Sequence, residues 1–551
     1  MVQLKVYEMD EKKVTEGKVI FAKVRGKILR YRVRLPKLLQ ESGSYYEQLK
    51  LAYVTKRNAD RQEYFFDLSL KKTTRKYVFY ESIIDLEQID FKPLNWKFTV
   101  IQKNPEGEPT EIELVNRSYL NFAKYCSLFF DNSYSFEDGM FVYPYVNGAR
   151  NISLQYRKKG EYDDYHVKLK ERLAVLRFIF TFPILKRKRI CLVFEKYSQM
   201  AQDNGYYFFK YCMEHNMEKK MRCKFYYVIT KDSPDRKKLE AYEDHILDFM
   251  SVKHIAYALA AKMLISTDAK AHVYPWRRKG CALIPFIKRK KLVFLQHGVT
   301  AMKKVDFFYG KGKGGECDLF ITTSDLEKEI VLEHFGYKEN QIPVTGFARW
   351  DVLEDKSQDG REILIMPTWR SWLEDFTKEE FQKSNYYKHY ADLLKEERLY
   401  QILEKYNLTA DFYLHPKFKE YIGSFLTESE RVRIIPFGTE PLNEIMMRCR
   451  MLVTDYSSVS WDMFYQKKPV VFYQFDREDY LEVHGSYIDM DTQLFGTVAR
   501  TGQELLDALE ACVSGNFTLG EKQCGMHKKY FKYIDNQNSE RICQAIQREL
   551  L

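Results

Sequence analysis

The 551-residue chain has no run of the roughly 18 apolar residues that a spanning helix needs. Its opening residues, MVQLKVYEMDEKK, have no apolar core of a secretory signal. Together these absences predict a protein of the cytosol, or of the cytosolic face of a membrane. Ten cysteines are present, from Cys126 to Cys543, but none forms a CxxC pair or a Cys/His cluster with zinc-like spacing. They are expected as reduced, mostly buried thiols. RNA-binding signatures and zinc fingers are also missing, so nucleic acid is not an expected partner, despite a net charge of +11 and a pI near 8.8. The basic balance then favours anionic lipid or a phosphate-rich substrate.

What is present is a folded composition, with 45% hydrophobic and 30% charged residues and 41 tyrosines and 38 phenylalanines. The length suggests three or four domains of about 100–200 residues each. Residues 1–155 alternate in short runs broken by turn residues, as in VTEGKVIFAKVRGKILRYRVRL, which predicts a β-rich accessory region with a structural or binding role. Residues 156–189 include VKLKERLAVLRFIFTFPILKRKR, with eight Lys or Arg and one acid, Glu171. That pattern suits a basic amphipathic segment lying on an anionic membrane surface, and equally a core helix with a solvated basic end. A second basic stretch flanks CALIPFI, with Arg277, Arg278 and Lys279 before it.

From residue 190 apolar strand-like runs alternate with helical ones, and after a charged interval near 350–360 the alternation restarts. The expected fold class is α/β, with Rossmann-like domains at 190–355 and 356–551 behind the β-rich region. In open α/β sheets ligands bind at the carboxyl ends of the strands. His297, Arg370, His415 and the pair Ser457-Ser458 fall at such ends.

LVFLQHGVTAMKK (292–304) ends an apolar run in His297 and Gly298. Histidine suits proton removal near neutrality, and glycine allows close approach to the backbone. LVTDYSSVSWD (452–462) ends a strand in two small hydroxyls before a helix, which fits an anion site or an ordinary helix cap. Asp462, one turn on, is a candidate for orienting a donor hydroxyl or a surface acid. Lys303, Lys304 and Lys417 read as solvated, and Asp489-Met490-Asp491 as a structural loop rather than a metal site.

Taken together, TDYSSVSWD with KKPVVFYQFDREDY, QHGVTAMKK, IMPTWR, LHPK, TGFARWDVL and IDNQNSERI resemble, in order, the motifs of the CDP-glycerol glycerophosphotransferase family, the teichoic-acid primases and polymerases. The resemblance covers about residues 190–545. It departs from the family pattern at Gln296, where a tryptophan is usual, and at Thr300-Ala301, where Pro-Leu is usual.

The resemblance implies a GT-B fold, an acceptor-side first domain with His297 as catalytic base, and a second domain binding a CDP-alditol. Gly298, Arg370, His415, Ser457, Ser458 and Asp462 are the implied substrate-binding residues. It also implies transfer of glycerol phosphate from CDP-glycerol to a lipid-linked cell-wall, teichoic-acid or capsular polymer, with release of CMP and peripheral attachment to the cytoplasmic face of the membrane. No cofactor and no essential metal are expected, and an oligomer is possible. A CDP-ribitol-dependent ribitolphosphotransferase and a GT-B glycosyltransferase using a nucleotide sugar remain the alternatives.

Overall fold

The computed structural model describes residues 17–37, 43–54, 62–105, 107–115, 132–147, 151–275, 283–358, 360–374, 376–436 and 438–551. The opening residues, Cys126 and the triplet 277–279 lie outside them. Two compact units emerge, one containing residues 1–182 and the other most of the chain after 182.

The first unit is the β-rich region. Eleven strands form one sheet: β1 (Gly17–Arg25), β2 (Ile28–Pro36), β3 (Tyr45–Tyr53), β4 (Glu63–Asp67), β5 (Ser69–Thr73), β6 (Tyr77–Asp85), β7 (Leu94–Asn104), β8 (Gly107–Val115), β9 (Tyr134–Ser135), β10 (Met140–Val146) and β11 (Ile152–Lys158). Its path is β5-β6-β2-β1-β8-β7-β11-β10-β9, with β3 branching from β7 and carrying β4. Nearly all pairings are antiparallel, β1 with β8 (Gly107–Val115) being parallel. One core draws on most strands, from Val19 and Tyr31 to Trp96 and Leu154, so the sheet wraps around its own apolar face. The turn between β1 and β2 (Ile28–Pro36) passes through Gly26 at φ +54°, a conformation that favours glycine.

A 24-residue helix, Tyr165–Lys188, follows. Its amphipathicity is inverted. Lys168 and Glu171 are buried, Glu171 accepting a hydrogen bond from the Tyr274 hydroxyl, whereas Leu169, Leu173, Leu176 and Phe180 form an exposed apolar stripe at helical spacing. Phe180 is 80% exposed. Among the described residues no helix is long and apolar enough to cross a membrane.

The second unit holds two six-stranded parallel sheets. The first has the order β14-β13-β12-β15-β16-β17, with β12 (Ile190–Phe194) central and β13 (Lys224–Ile229), β14 (Ile246–Asp248), β15 (Met263–Ser266), β16 (Lys291–Phe294) and β17 (Leu319–Phe320) around it. The second repeats the pattern as β20-β19-β18-β21-β22-β23, with β18 (Glu362–Ile365), β19 (Thr409–Tyr413), β20 (Val432–Ile435), β21 (Met451–Thr454), β22 (Val470–Tyr473) and β23 (Thr497–Ala499). Counted within each sheet, both orders are 3-2-1-4-5-6, the dinucleotide-fold order. Every residue of β12, β15, β21 and β22 is buried, as parallel strands covered on both faces require.

The C-terminal helix Asn538–Leu550 corrects the sequence boundary. Ile542, Cys543, Ala545 and Ile546 pack into the core of the first Rossmann domain, with Cys191, Phe208 and Phe225. The second domain therefore does not run to residue 551. Eight cysteines lie among the described residues, none in a disulfide; six are buried, Cys512 is half-buried and Cys524 is exposed.

Candidate active site

In a 3-2-1-4-5-6 sheet the chain direction of the crossovers reverses between the first and fourth strands, leaving a crevice at their carboxyl ends. The first domain fills this point with Lys196, after β12, and with Thr267 and Asp268, after β15. The second fills it with Thr368 and Trp369, after β18, and with Asp455 to Ser458, after β21. Of these, Lys196, Thr368, Trp369 and Tyr456 to Ser458, with His297 beyond β16 and His415 beyond β19, line a cavity of about 360 Å³, whereas Thr267, Asp268 and Asp455 are not part of its lining.

His297 is exposed to the cavity, and its Nδ1 lies 3.3 Å from the Thr267 carbonyl. A carbonyl only accepts, so Nδ1 carries the proton and Nε2 keeps a free lone pair. The backbone on both sides of His297 is tied by hydrogen bonds. Gln296, at φ +58°, donates through Nε2 to the Ile321 carbonyl at 2.6 Å and to Glu327 at 3.0 Å. Thr300 donates through its hydroxyl to Gln296 Oε1 at 2.7 Å and through its N–H to Glu327 at 2.7 Å. Gln296 and Thr300, both departures from the family pattern, are therefore partners in one buried network that brackets His297-Gly298. Burial pushes the Glu327 carboxyl upward, and these hydrogen bonds oppose that rise.

Gly298 lines the cavity and also has a packing role. A Cβ there would lie 2.2 Å from Ser458 Oγ, so the glycine lets the His297 loop touch the serine of the second domain. Ser458 is the N-cap of helix Val459–Tyr465 by position, but its hydroxyl makes no capping bond. Ser457 does that work, its Oγ accepting from the Val459 N–H at 3.3 Å. The Ser458 hydroxyl is left facing the cavity.

His415 also borders the cavity. Its Nδ1 accepts from the Lys417 N–H at 3.2 Å, which leaves the proton on Nε2. Burial, then the charges of Lys196, Lys417, Lys303 and His297, push its pKa down to about 3. It is a neutral donor at neutral pH. Trp369, 5.9 Å from the His415 ring, carries Lys303 Nζ at 5.3 Å and Lys417 Nζ at 5.5 Å from its ring centre.

Lys303, read from sequence as solvated, instead lines the cavity, where burial lowers its pKa. Lys196, not singled out in the sequence, lines it too. Among the described residues neither has a carboxylate within ion-pair distance, whereas Lys417 pairs with Glu374. Lys304 stays exposed and packs beside Gly485.

Two expected ligands are placed differently. Arg370 is fully buried and does not line the cavity. Its guanidinium pairs with Asp476 at 2.7 and 3.0 Å and with Asp455 at 2.9 Å, within a ring of Tyr386, Tyr456 and Tyr480. Asp455 in turn accepts from the Thr368 and Tyr456 N–H groups at 2.9 and 2.6 Å, so Arg370 fixes the strand ends.

Asp462 reaches the lining, but both its oxygens are held by Arg349 at 2.9 Å, and one also by Trp350 Nε1 at 2.6 Å. Arg349 completes its set with Asp203 at 2.9 Å. This buried cluster ties the first domain to the second, and its arginine was legible only as part of TGFARWDVL. In the loop at Asp489, Asp491 pairs with Arg477 at 2.5 and 2.7 Å, while Asp489 accepts from the Asp491 N–H at 2.9 Å. Among the described residues no three His, Cys, Asp or Glu side chains converge as a metal site.

The histidines give a pH prediction. His415 and His484 are pushed down to about 3 and about 4, in both cases first by burial. In the unfolded chain they titrate near 6.5, so between about pH 6.5 and 4 the unfolded state binds more protons. Stability is therefore expected to fall with pH through that window. Thermal melts between pH 7 and 4.5 should show a shallower loss for His415→Asn than for the parent; parallel curves would refute the assignment.

A model of the CDP-Glycerol:Poly(glycerophosphate) glycerophosphotransferase family matches residues 175–548. The minor teichoic acid biosynthesis protein GgaB of Bacillus subtilis is 28% identical over 397 residues, 69% of this chain and 42% of GgaB. The teichoic acid ribitol-phosphate polymerase TarL of Staphylococcus aureus is 26% identical over 289 residues, 48% of this chain and 49% of TarL. The chain thus spans about half the length of these relatives or less. The solved structure of the wall teichoic acid polymerase TagF aligns with TM-score 0.51 at 16% identity, over 70% of this chain and 95% of that one, which supports the GT-B-like fold. With the family match covering both Rossmann domains, the chain belongs to the CDP-glycerol:poly(glycerophosphate) glycerophosphotransferase family.

Proposed function

We propose that the chain transfers a polyol phosphate, glycerol phosphate first among the candidates, from its CDP ester to a hydroxyl of a lipid-linked cell-wall or capsular polymer. The observation that carries this reading is the contact of His297-Gly298 with Ser458, which brings a base with a free Nε2 beside an unbonded hydroxyl donor. The acceptor oxygen attacks the phosphorus bearing the polyol, His297 Nε2 takes the acceptor proton, and the bond to CMP breaks. Ser457, Ser458 and the Nε2–H of His415 supply hydrogen bonds to the diphosphate, and Lys196 and Lys303 supply charge. The apolar end of the cavity, at Tyr413, Leu442 and Met446, suits the pyrimidine. No metal takes part in this scheme.

The choice between glycerol and ribitol is carried by no residue. TarL is described as a ribitol-phosphate polymerase and the family by its glycerol donor. The deciding experiment offers CDP-glycerol, CDP-ribitol and nucleotide sugars with a lipid-linked glycerol phosphate acceptor, in EDTA. Release of CMP from one CDP-polyol is expected. A nucleoside diphosphate released from a sugar donor would move the chain to the glycosyltransferases, and loss of activity in EDTA would overturn the metal-free scheme.

The same reading places the chain on the cytoplasmic face of the membrane. Its support is the exposed stripe Leu169, Leu173, Leu176 and Phe180 on a helix ending in Lys186, Arg187 and Lys188. Leu173→Glu/Leu176→Glu is expected to abolish co-sedimentation with vesicles containing phosphatidylglycerol; retained binding would refute the helix as the anchor.

A further inference from the structure

The base proposed above works in a setting hostile to a second charge. When His297 takes a proton it becomes a cation in the cavity that Lys196, Lys303 and His415 also line. Both carboxylates in the lining, Asp203 and Asp462, are already bound to Arg349. The donor's diphosphate answers the lysines, and the fold adds one further anion whose charge reaches the ring from beyond ion-pair distance. Asp268 directly follows Thr267, whose carbonyl holds His297 Nδ1. It sits at the switch point of the first sheet, between the ends of β12 and β15.

Asp268 is buried, but it is built to stay charged. Its Oδ2 accepts from the Thr267 hydroxyl at 2.7 Å and from the Lys196 N–H at 3.0 Å, and Oδ1 lies 3.6 Å from His272 Nδ1. Burial would raise its pKa, but the charges of His297 and His272 and the two hydrogen bonds outweigh burial and lower it. The bond to Lys196 has a second consequence. Lys196, Tyr197 and Ser198 all have left-handed backbones, at φ +34°, +59° and +58°. Three such non-glycine residues in succession are strained, and Asp268 is one of the groups that hold the turn.

We propose that Asp268 is the positioning carboxylate of His297: it stabilises the imidazolium formed as the acceptor proton is removed, and it fixes the turn that aims Lys196 into the cavity. This rests on His297 being the base. Asp268 touches no substrate, and its effect is through the histidine and the turn. The arrangement is that of a base oriented by one neighbour and stabilised by a buried carboxylate, with a backbone carbonyl taking the orienting bond.

The test is the ring titration of His297 by NMR in the full chain, with His297→Gln used to assign its signal. It needs no substrate. Asp268→Asn keeps an oxygen for the Lys196 N–H and removes the charge. The His297 midpoint is expected to move down by about one pH unit, with the remaining histidine signals other than His272 unmoved. In turnover, Asp268→Asn should lower kcat by about 10–100-fold and shift the acid limb of its pH profile the same way, while donor KM stays within about threefold. An unmoved midpoint in a folded Asp268→Asn protein overturns the proposal, even where His297→Ala is inactive. A moved midpoint with His297→Ala fully active would instead refute the base and leave the electrostatic coupling standing.

Discussion

A His297→Ala variant is expected to lose roughly 10²–10⁴-fold in turnover while donor affinity stays within about threefold. The reason is specific to the loop. Gln296, Thr300 and Glu327 hold the backbone on both sides of the residue, so removing the ring should leave the cavity walls in place. What disappears is Nε2, the lone pair that the Thr267 carbonyl keeps unprotonated. In the proposed scheme the donor contacts come from the second domain, at Ser457, Ser458 and His415, and do not pass through the ring. Single-turnover CMP release and a CDP-polyol binding titration, run together, separate the two quantities. A variant that turns over at more than about a third of the parental rate would remove His297 from the chemistry. One that loses binding and turnover equally would make it a ligand rather than a base.

The sequence could be read well where short apolar strands end in polar residues, because a buried parallel strand needs an apolar run and its carboxyl end must meet the ligand crevice. The runs at 190–194, 291–294, 409–413 and 451–454 are such strands. The edge strands β14, β20 and β23 were not legible, because their partial exposure breaks the apolar run that marks a covered strand. Side-chain roles were harder to read, since each depends on a distant partner. Arg370 looks like a ligand until Asp476, 106 residues away, is seen to hold it. Asp462 looks free until Arg349, 113 residues away, takes both its oxygens. Lys303 follows a turn and reads as solvated; only the approach of Trp369 from the second domain draws it into the cavity. The C-terminal helix belongs to the first domain for a similar reason. Its apolar face at Ile542 and Ile546 specifies a core, but not which one.

Arg349→Met should be strongly destabilising, costing about 3–5 kcal/mol. The guanidinium is buried and donates to Asp462 and Asp203, and the Arg349 backbone N–H donates to Asn204 Oδ1. Burial works against its charge, and the two carboxylates more than offset that. Removing it strands two buried carboxylates with no counter-charge, which is the expensive half of breaking such a cluster. Asp462→Asn should cost less, since an amide can still accept from Trp350 Nε1. Arg349→Met combined with Asp462→Leu should recover part of the loss, because one uncompensated charge goes with it. Urea unfolding of the three variants supplies the numbers, and an Arg349→Met midpoint equal to the parent's would refute the cluster's role. Activity should fall alongside stability. Asp203 accepts from the Asn204 N–H at the start of helix Asn204–Glu214, and Asn204 donates to the carbonyls of Leu295 and Gln296 at 3.2 and 2.8 Å, immediately before His297. The ion cluster that joins the two domains therefore also holds the backbone leading into His297. At temperatures where the variant is still folded, its kcat should drop more than its donor affinity.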